Sequence, residues 1–259
     1  MALIHFRESG AAGRPIVFLH GFCDNHELWS DFIQPFAERF RVVTPDLPGF
    51  GNSALPERPF TIDRVADLLA DWFRKSGLVR PIVVGHSLGG YVALSLMERY
   101  GENLSGLVLF HSTAYADSEE RKKVRDKVIA FVGEHGVAPF IETFVPGLFA
   151  DKNHIAIPGT RLRAGRTTKE ALVGYAEAMR DRPDRSGILA RAPFPVGIIA
   201  GAKDALIPLE DLRRLVKSAA DVTLSELPEA AHMGMFEAKN QAQAILSSYI
   251  ERIWPIKGT

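Results

Sequence analysis

The chain has 259 residues, 46% of them hydrophobic, enough for one large domain or for a core domain with a modest insert. Lysine plus arginine equal aspartate plus glutamate at 31 each, so the overall charge argues against nucleic acid or an anionic membrane surface as partner. Cys23 is the only cysteine, which excludes an internal disulfide and fits a reducing cytoplasm. The stretch Met1 to Glu8 has no long apolar region with a small-residue cleavage site, and no run approaches the ~20 apolar residues needed to span a bilayer. The expectation is a cytoplasmic protein acting on a neutral small molecule.

Apolar runs with β-branched residues predict the strands, and 3.6-residue periodicity predicts the helices between them. Ala2 to Glu8 offers one early strand. Ile16 to Leu19 is followed by His20-Gly21-Phe22, and Arg41 to Thr44 by Asp46-Leu47-Pro48-Gly49-Phe50-Gly51-Asn52-Ser53. A helix runs from Ile62 to Phe73, with Thr61 as N-cap and Gly77 as stop. Ile82 to Val84 leads through Gly85-His86-Ser87-Leu88-Gly89-Gly90 into a helix over Tyr91 to Tyr100, and another strand covers Leu104 to Phe110. Residues 117 to 192 are helical and charged, with no convincing strand. The alternation resumes after Pro193-Phe194-Pro195 with a strand at Val196 to Ala200, which ends on Gly201-Ala202-Lys203-Asp204. A helix over Leu209 to Ala219, a strand at Val222 to Leu227, Ala231-His232-Met233-Gly234 and a helix over Asn240 to Ile253 complete the chain. Strands alternating with helices require crossover connections. The fold class is therefore α/β, a mainly parallel sheet of about seven to eight strands flanked by helices, with its site at the carboxyl ends of the strands.

The turn at Ser87 carries the most chemistry. A buried strand turning abruptly into a helix forces strained dihedrals on the turn residue, and side chains two positions either side would collide unless they are glycines. Gly85 and Gly89 meet that demand. The strain lifts the Ser87 hydroxyl clear of the sheet, and the Leu88 amide at the helix start can face an oxyanion forming beside it.

These motifs, in this order and spacing, resemble the α/β-hydrolase family over nearly the whole chain outside residues 117 to 192. The resemblance implies a core of residues 1–116 and 193–259 with a helical cap, 117–192, inserted over the site. Family members usually begin with two antiparallel strands, whereas here only one is available. The resemblance further implies that His232 is the base for Ser87 and that Asp204 orients it, with Asp117 as an alternative acid after the preceding strand. The Phe22 amide would be the second oxyanion donor, beside that of Leu88, and Asp46 a structural loop residue. Ser87 in place of an aspartate nucleophile argues against haloalkane dehalogenases and epoxide hydrolases. The stretch Ala178 to Asp184 is similar to enol-lactone hydrolases and kindred esterases.

The remaining candidates read more simply. His86 and His20 are expected to pack and to order their own turn, and His5, His26, His111, His135 and His154 have no evident partner. Cys23, Phe144 and Phe149 are candidate pocket-lining residues, while Trp29 and Phe140 are read mainly as packing. Arg161, Arg163, Arg166 and Lys169 read as a solvated face. No His-Glu-x-x-His, no paired cysteine ligands and no complete dinucleotide loop at Gly49-Phe50-Gly51 are present, so no metal or cofactor is implied. The expected function is a cofactor-free serine hydrolase cleaving a small carboxylic ester or lactone through an acyl-enzyme. Carbon–carbon bond hydrolases, peptidases and small-ligand receptors of the same fold stay open, as do the substrate and the oligomeric state.

Overall fold

The computed structural model describes residues 4–10, 13–58, 60–217, 219 and 221–255. Each predicted apolar run forms a strand: β1 (Phe6–Ser9), β2 (Pro15–Leu19), β3 (Arg41–Pro45), β4 (Ile82–His86), β5 (Gly106–Phe110), β6 (Val196–Gly201) and β7 (Val222–Leu227). They make one seven-stranded sheet in the order β1-β3-β2-β4-β5-β6-β7. β1 pairs antiparallel with β3, and every other pair is parallel. Every residue of β2, β4, β5 and β6 is buried, as expected of strands covered by helices on both faces. β1 is the mostly exposed edge, and the Ala2 and Leu3 part of its predicted run lies outside the described residues.

The flanking helices are α1 (Gln34–Ala37), α2 (Ile62–Lys75), α3 (Leu88–Tyr100), α8 (Leu209–Lys217), α9 (Gly234–Glu237) and α10 (Lys239–Ile253). Thr61 caps α2 by accepting from the Arg64 amide at 3.1 Å. α3 starts at Leu88 rather than at the predicted Tyr91, because the tight turn sends the chain into the helix immediately after Ser87.

Between β5 and β6 the chain is wholly helical: α4 (Glu119–His135), α5 (Val137–Gly147), α6 (Ile157–Ala164), α7 (Lys169–Arg180) and a 3-10 turn over Ser186–Arg191. This segment is fastened to the sheet domain at several points. Tyr175 of α7 stacks on Phe50 at 4.6 Å and donates its hydroxyl to the Pro48 carbonyl at 2.8 Å. The His232 amide donates to the Leu148 carbonyl at 2.9 Å. Of the four basic residues read as a solvated face, Arg163 pairs with Asp24 at 2.7 Å and Arg166 with Glu27 at 3.0 Å, tying α6 and the residues after it to the loop after β2. Arg161 pairs with Glu142 within the segment, and Lys169 donates to the Gly133 carbonyl. The expectation of a solvated face holds for the exposed Arg166 and Lys169 and is corrected for Arg163, whose mostly buried side chain reaches Asp24 across the gap. No helix among the described residues is long and apolar enough to cross a membrane.

Candidate active site

Ser87 occupies the strained corner between β4 and α3, with φ 50° and ψ −113°. The flanking glycines are there for space. A Cβ on Gly85 would lie 2.4 Å from the Gly89 carbonyl oxygen, and one on Gly89 would lie 2.6 Å from the Leu19 carbonyl oxygen. The backbone of the corner is pinned by Ser87 N–H donating to the Phe110 carbonyl at 3.0 Å and by the Ser112 hydroxyl donating to the Ser87 carbonyl at 2.8 Å.

His232 stands in the loop between β7 and α9, and its Nδ1 donates to Asp204 Oδ2 at 2.7 Å. The other Asp204 oxygen accepts the Leu206 and Ile207 amides at 2.8 and 3.1 Å. Burial alone would raise the Asp204 carboxyl, but the electrostatic attraction of the His232 imidazole and its hydrogen bond, with His111 close by, outweigh it and hold the group well below the ordinary carboxylate range. It is thus a fixed negative charge aimed at the imidazole. Ser87 and His232 line the same cavity, of about 310 Å³. The hydroxyl of Ser87 makes no hydrogen bond among the described residues, so Ser87 and His232 share the cavity without a direct bond while the His232–Asp204 bond is closed.

Two histidines support this centre in ways the sequence reading missed. His111, at the carboxyl end of β5 with φ 47°, places Nδ1 3.5 Å from Asp204 Oδ2, and the amides of Gly201 and Gly234 lie 3.2 Å from its Nδ1 and Nε2. It has partners, contrary to expectation. Its position just past a strand end, where the other motifs lie, was the available signal. His86 is buried as expected, yet its Nε2 donates to the His232 carbonyl at 3.0 Å and its ring lines the cavity, so it holds the backbone of the base. Burial keeps both rings neutral by lowering their pKa values.

The loop after β2 is shaped by His20. Its Nε2 accepts the Leu47 amide at 2.8 Å, which leaves Nδ1–H to donate to the Gly21 carbonyl at 2.8 Å. With that carbonyl turned toward His20 and Cys23 held at φ 57°, the loop places Gly21, Phe22 and Cys23 on the cavity wall. Neither the Phe22 nor the Leu88 amide has an acceptor among the described residues, so both remain available to a developing oxyanion. Burial pushes the Cys23 thiol well above the ordinary thiol range, which makes it a packing residue rather than a nucleophile.

Other predicted positions sort clearly. Phe144 lines the cavity, as does Phe140, which was read mainly as packing. Phe149 does not: it is fully buried between the rings of His154 and Phe236, because its place just after α5 turns it behind the cavity wall. Asp117 is excluded from the acid's position, since its carboxylate is taken by Arg182 at 2.8 Å, Arg125 at 3.1 Å and Arg121 at 3.6 Å. Asp46 ties its loop together as expected, accepting from His26 Nδ1 at 2.7 Å, His5 Nδ1 at 2.8 Å, the His26 amide at 2.8 Å and the Asn52 amide at 2.9 Å. His5 and His26 therefore have a partner after all. The two clusters with metal-binding composition, His5–His26–Asp46 and His111–Asp204–His232, have carboxylates already committed to these internal bonds.

The strained serine corner on a parallel sheet, with a histidine and a carboxylate on later strand ends, defines a class of enzyme. The chain belongs to the alpha/beta hydrolase fold family, whose family model matches residues 14–239. It is 27% identical over 261 residues to a pimeloyl-[acyl-carrier protein] methyl ester esterase from Chromobacterium violaceum, covering 95% of this chain and 98% of that protein. It is 25% identical over 255 residues to the dihydrolipoyllysine-residue acetyltransferase component of an acetoin cleaving system from Cupriavidus necator, of which it spans 66% of the length. Among solved structures, a malate-bound thermophilic esterase from Thermogutta terrifontis superposes with a TM-score of 0.90 at 27% identity, over 96% of this chain and 93% of that one. An enol-lactonase from Burkholderia xenovorans superposes with a TM-score of 0.88 at 20% identity, over 95% and 96% of the two chains, and shares the fold.

Proposed function

We propose that this α/β hydrolase cleaves a small carboxylic ester or lactone by a serine acyl-enzyme route, without a cofactor, and that it works in the cytoplasm. Ser87 Oγ attacks the substrate carbonyl carbon while His232 Nε2 takes its proton. The tetrahedral oxyanion is held by the Phe22 and Leu88 amides. Collapse breaks the carbon–oxygen bond to the alcohol, which leaves with the proton from His232. Water then repeats the sequence on the acyl-serine, releasing the acid and restoring Ser87. Asp204 keeps the His232 tautomer and stabilises the imidazolium. Helices α4 to α7 act in this reading as a cap, supplying much of the wall that meets the substrate. Esterase activity in the Chromobacterium and Thermogutta relatives supports the choice of ester.

The observation that carries the reading is the 2.7 Å His232–Asp204 bond beside a serine at φ 50° on a shared cavity. The test is fluorophosphonate labelling followed by turnover on short esters and lactones. Ser87→Ala is expected to abolish labelling and to lower kcat by about 10⁴ to 10⁶, with His232→Ala about as severe and the double variant no worse. Labelling retained in Ser87→Ala would end the assignment.

A further inference from the structure

The inner face of α4 presents Arg121, Val124, Arg125 and Val128 to the cavity, a stripe at the i, i+3, i+4, i+7 spacing of one helix face. The valines suit a wall that is otherwise mostly apolar, but two arginines in such a stripe need an explanation. Asp117 is the acid nearest to hand, and it is shared with a third guanidinium. Arg182, closest to Asp117 at 2.8 Å, is itself a structural residue: it donates to the Met179 and Tyr115 carbonyls at 2.7 and 2.9 Å and lies 3.9 Å over the Tyr91 ring. Asp184 also acts on Arg182, so two carboxylates stand against three guanidiniums, which still leaves an excess of positive charge at this wall. The other acid on the cavity, Asp24, is taken by Arg163 at 2.7 Å and does not offset it.

Arg125 is the least satisfied of the three. Its Nε donates to Asp117 at 3.1 Å, and its two terminal amino groups have no partner among the described residues, although only 19% of the side chain is exposed. It lines the same cavity as Phe22 and Cys23. Arg121 spends one amino group on the Leu206 carbonyl and keeps the other unpaired. A planar fork of unpaired donors in an apolar, partly enclosed wall is what a carboxylate fits best, through parallel charge-assisted hydrogen bonds.

We infer that Arg121 and Arg125 form an anion subsite of the catalytic cavity, and that the substrate is an ester or lactone whose small body carries a free carboxylate. Asp117 is a positioning residue, holding the two Nε groups so that the terminal amino groups face inward. The inference rests on the ester-hydrolase reading for the reaction but not for the binding, and its test separates the two.

The test compares p-nitrophenyl hydrogen glutarate with p-nitrophenyl 5-methylhexanoate, in which an isopropyl group replaces the carboxylate, after subtraction of spontaneous hydrolysis. A second pair, 4-acetoxybenzoate and 4-isopropylphenyl acetate, puts the charge on the alcohol side. In at least one pair the wild type is expected to favour the charged ester in kcat/KM by about 10-fold or more, mainly through KM. Arg125→Met should bring that ratio to about 1 or below, Arg121→Met should lower it, and Arg125→Lys should fall between wild type and Arg125→Met. Lys123→Met, an equal charge change at an exposed position of α4, should keep the ratio. A wild-type ratio near 1 in both pairs, or a ratio untouched by Arg121→Met and Arg125→Met, overturns the subsite. If no ester turns over and Ser87 is not labelled, the reaction reading fails, and calorimetry with glutarate decides the subsite alone. Binding lost in folded Arg125→Met upholds it, and no binding to the wild type refutes it.

Discussion

Asp204 and Asp117 are both buried aspartates near the carboxyl ends of neighbouring strands, and their surroundings assign them opposite work. One faces His232, while the other is enclosed by arginines. Asp204→Asn is expected to keep the fold and to cost up to about 10⁴ in rate, because an amide favours the wrong histidine tautomer. Rates measured on folded variants should show a smaller loss for Asp117→Asn. The same contrast separates two phenylalanines. Phe144 faces the cavity, so Phe144→Ala should change kcat/KM unequally across acyl lengths. Phe149 is sealed between two rings, so Phe149→Ala should cost about 3–5 kcal/mol of stability by denaturant titration, with little change in acyl preference. Sequence periodicity could not tell these two apart. Both are apolar residues in a helical segment, and which one looks inward depends on how that segment packs.

At the scale of elements, the strand–turn–helix around Ser87 is the best-specified piece of the chain. A methyl on Gly89 meets two backbone oxygens, those of Leu19 and His20, which no rotamer change can relieve. Gly89→Ala should therefore push the start of α3 away from the end of β2 and the loop after it, costing about 2–4 kcal/mol and removing turnover even in the folded fraction. Gly133→Ala is the control: it lies within α4 with open space around its Cβ position and should stabilise by about 0.5–1 kcal/mol. The sheet was legible because its central strands β2, β4, β5 and β6 are short, fully buried, mainly apolar runs ending in a polar or glycine motif. The insert was legible only as helices. Along α4 the run of charges at 121, 122, 123 and 125 carries no mark of which side faces inward, and only the packed structure separates Arg121 and Arg125 on the cavity from the exposed Lys123. His111 was hidden for a related reason: its partner, Asp204, lies 93 positions away in sequence, and only the parallel pairing of β5 with β6 brings their ends together.

For the molecule as a whole, the Asp46 hub joins β1, the loop after β2 and the loop after β3. Burial would raise this carboxyl, but the His26 hydrogen bond and the amides of Asn52 and His26 prevail and hold it below the ordinary range. A carboxyl lowered in the folded state contributes stability that is complete above its unfolded pKa of about 3.9 and lost as the pH falls toward the folded value. Asp46→Asn should thus cost roughly 2–4 kcal/mol at neutral pH, with the difference from wild type narrowing below about pH 4 in parallel melts. The bond from the His232 amide to the Leu148 carbonyl has a consequence for timing. Leu148 belongs to the helical insert, so the backbone of His232 is held in place partly by the element that walls the cavity. Under the proposed reading of the insert as a cap, a motion lifting this wall would break that bond and release the backbone of His232 until the wall returned. Admission and reactivity would then alternate, so that a substrate would meet the completed His232–Asp204 arrangement only with the wall closed over it.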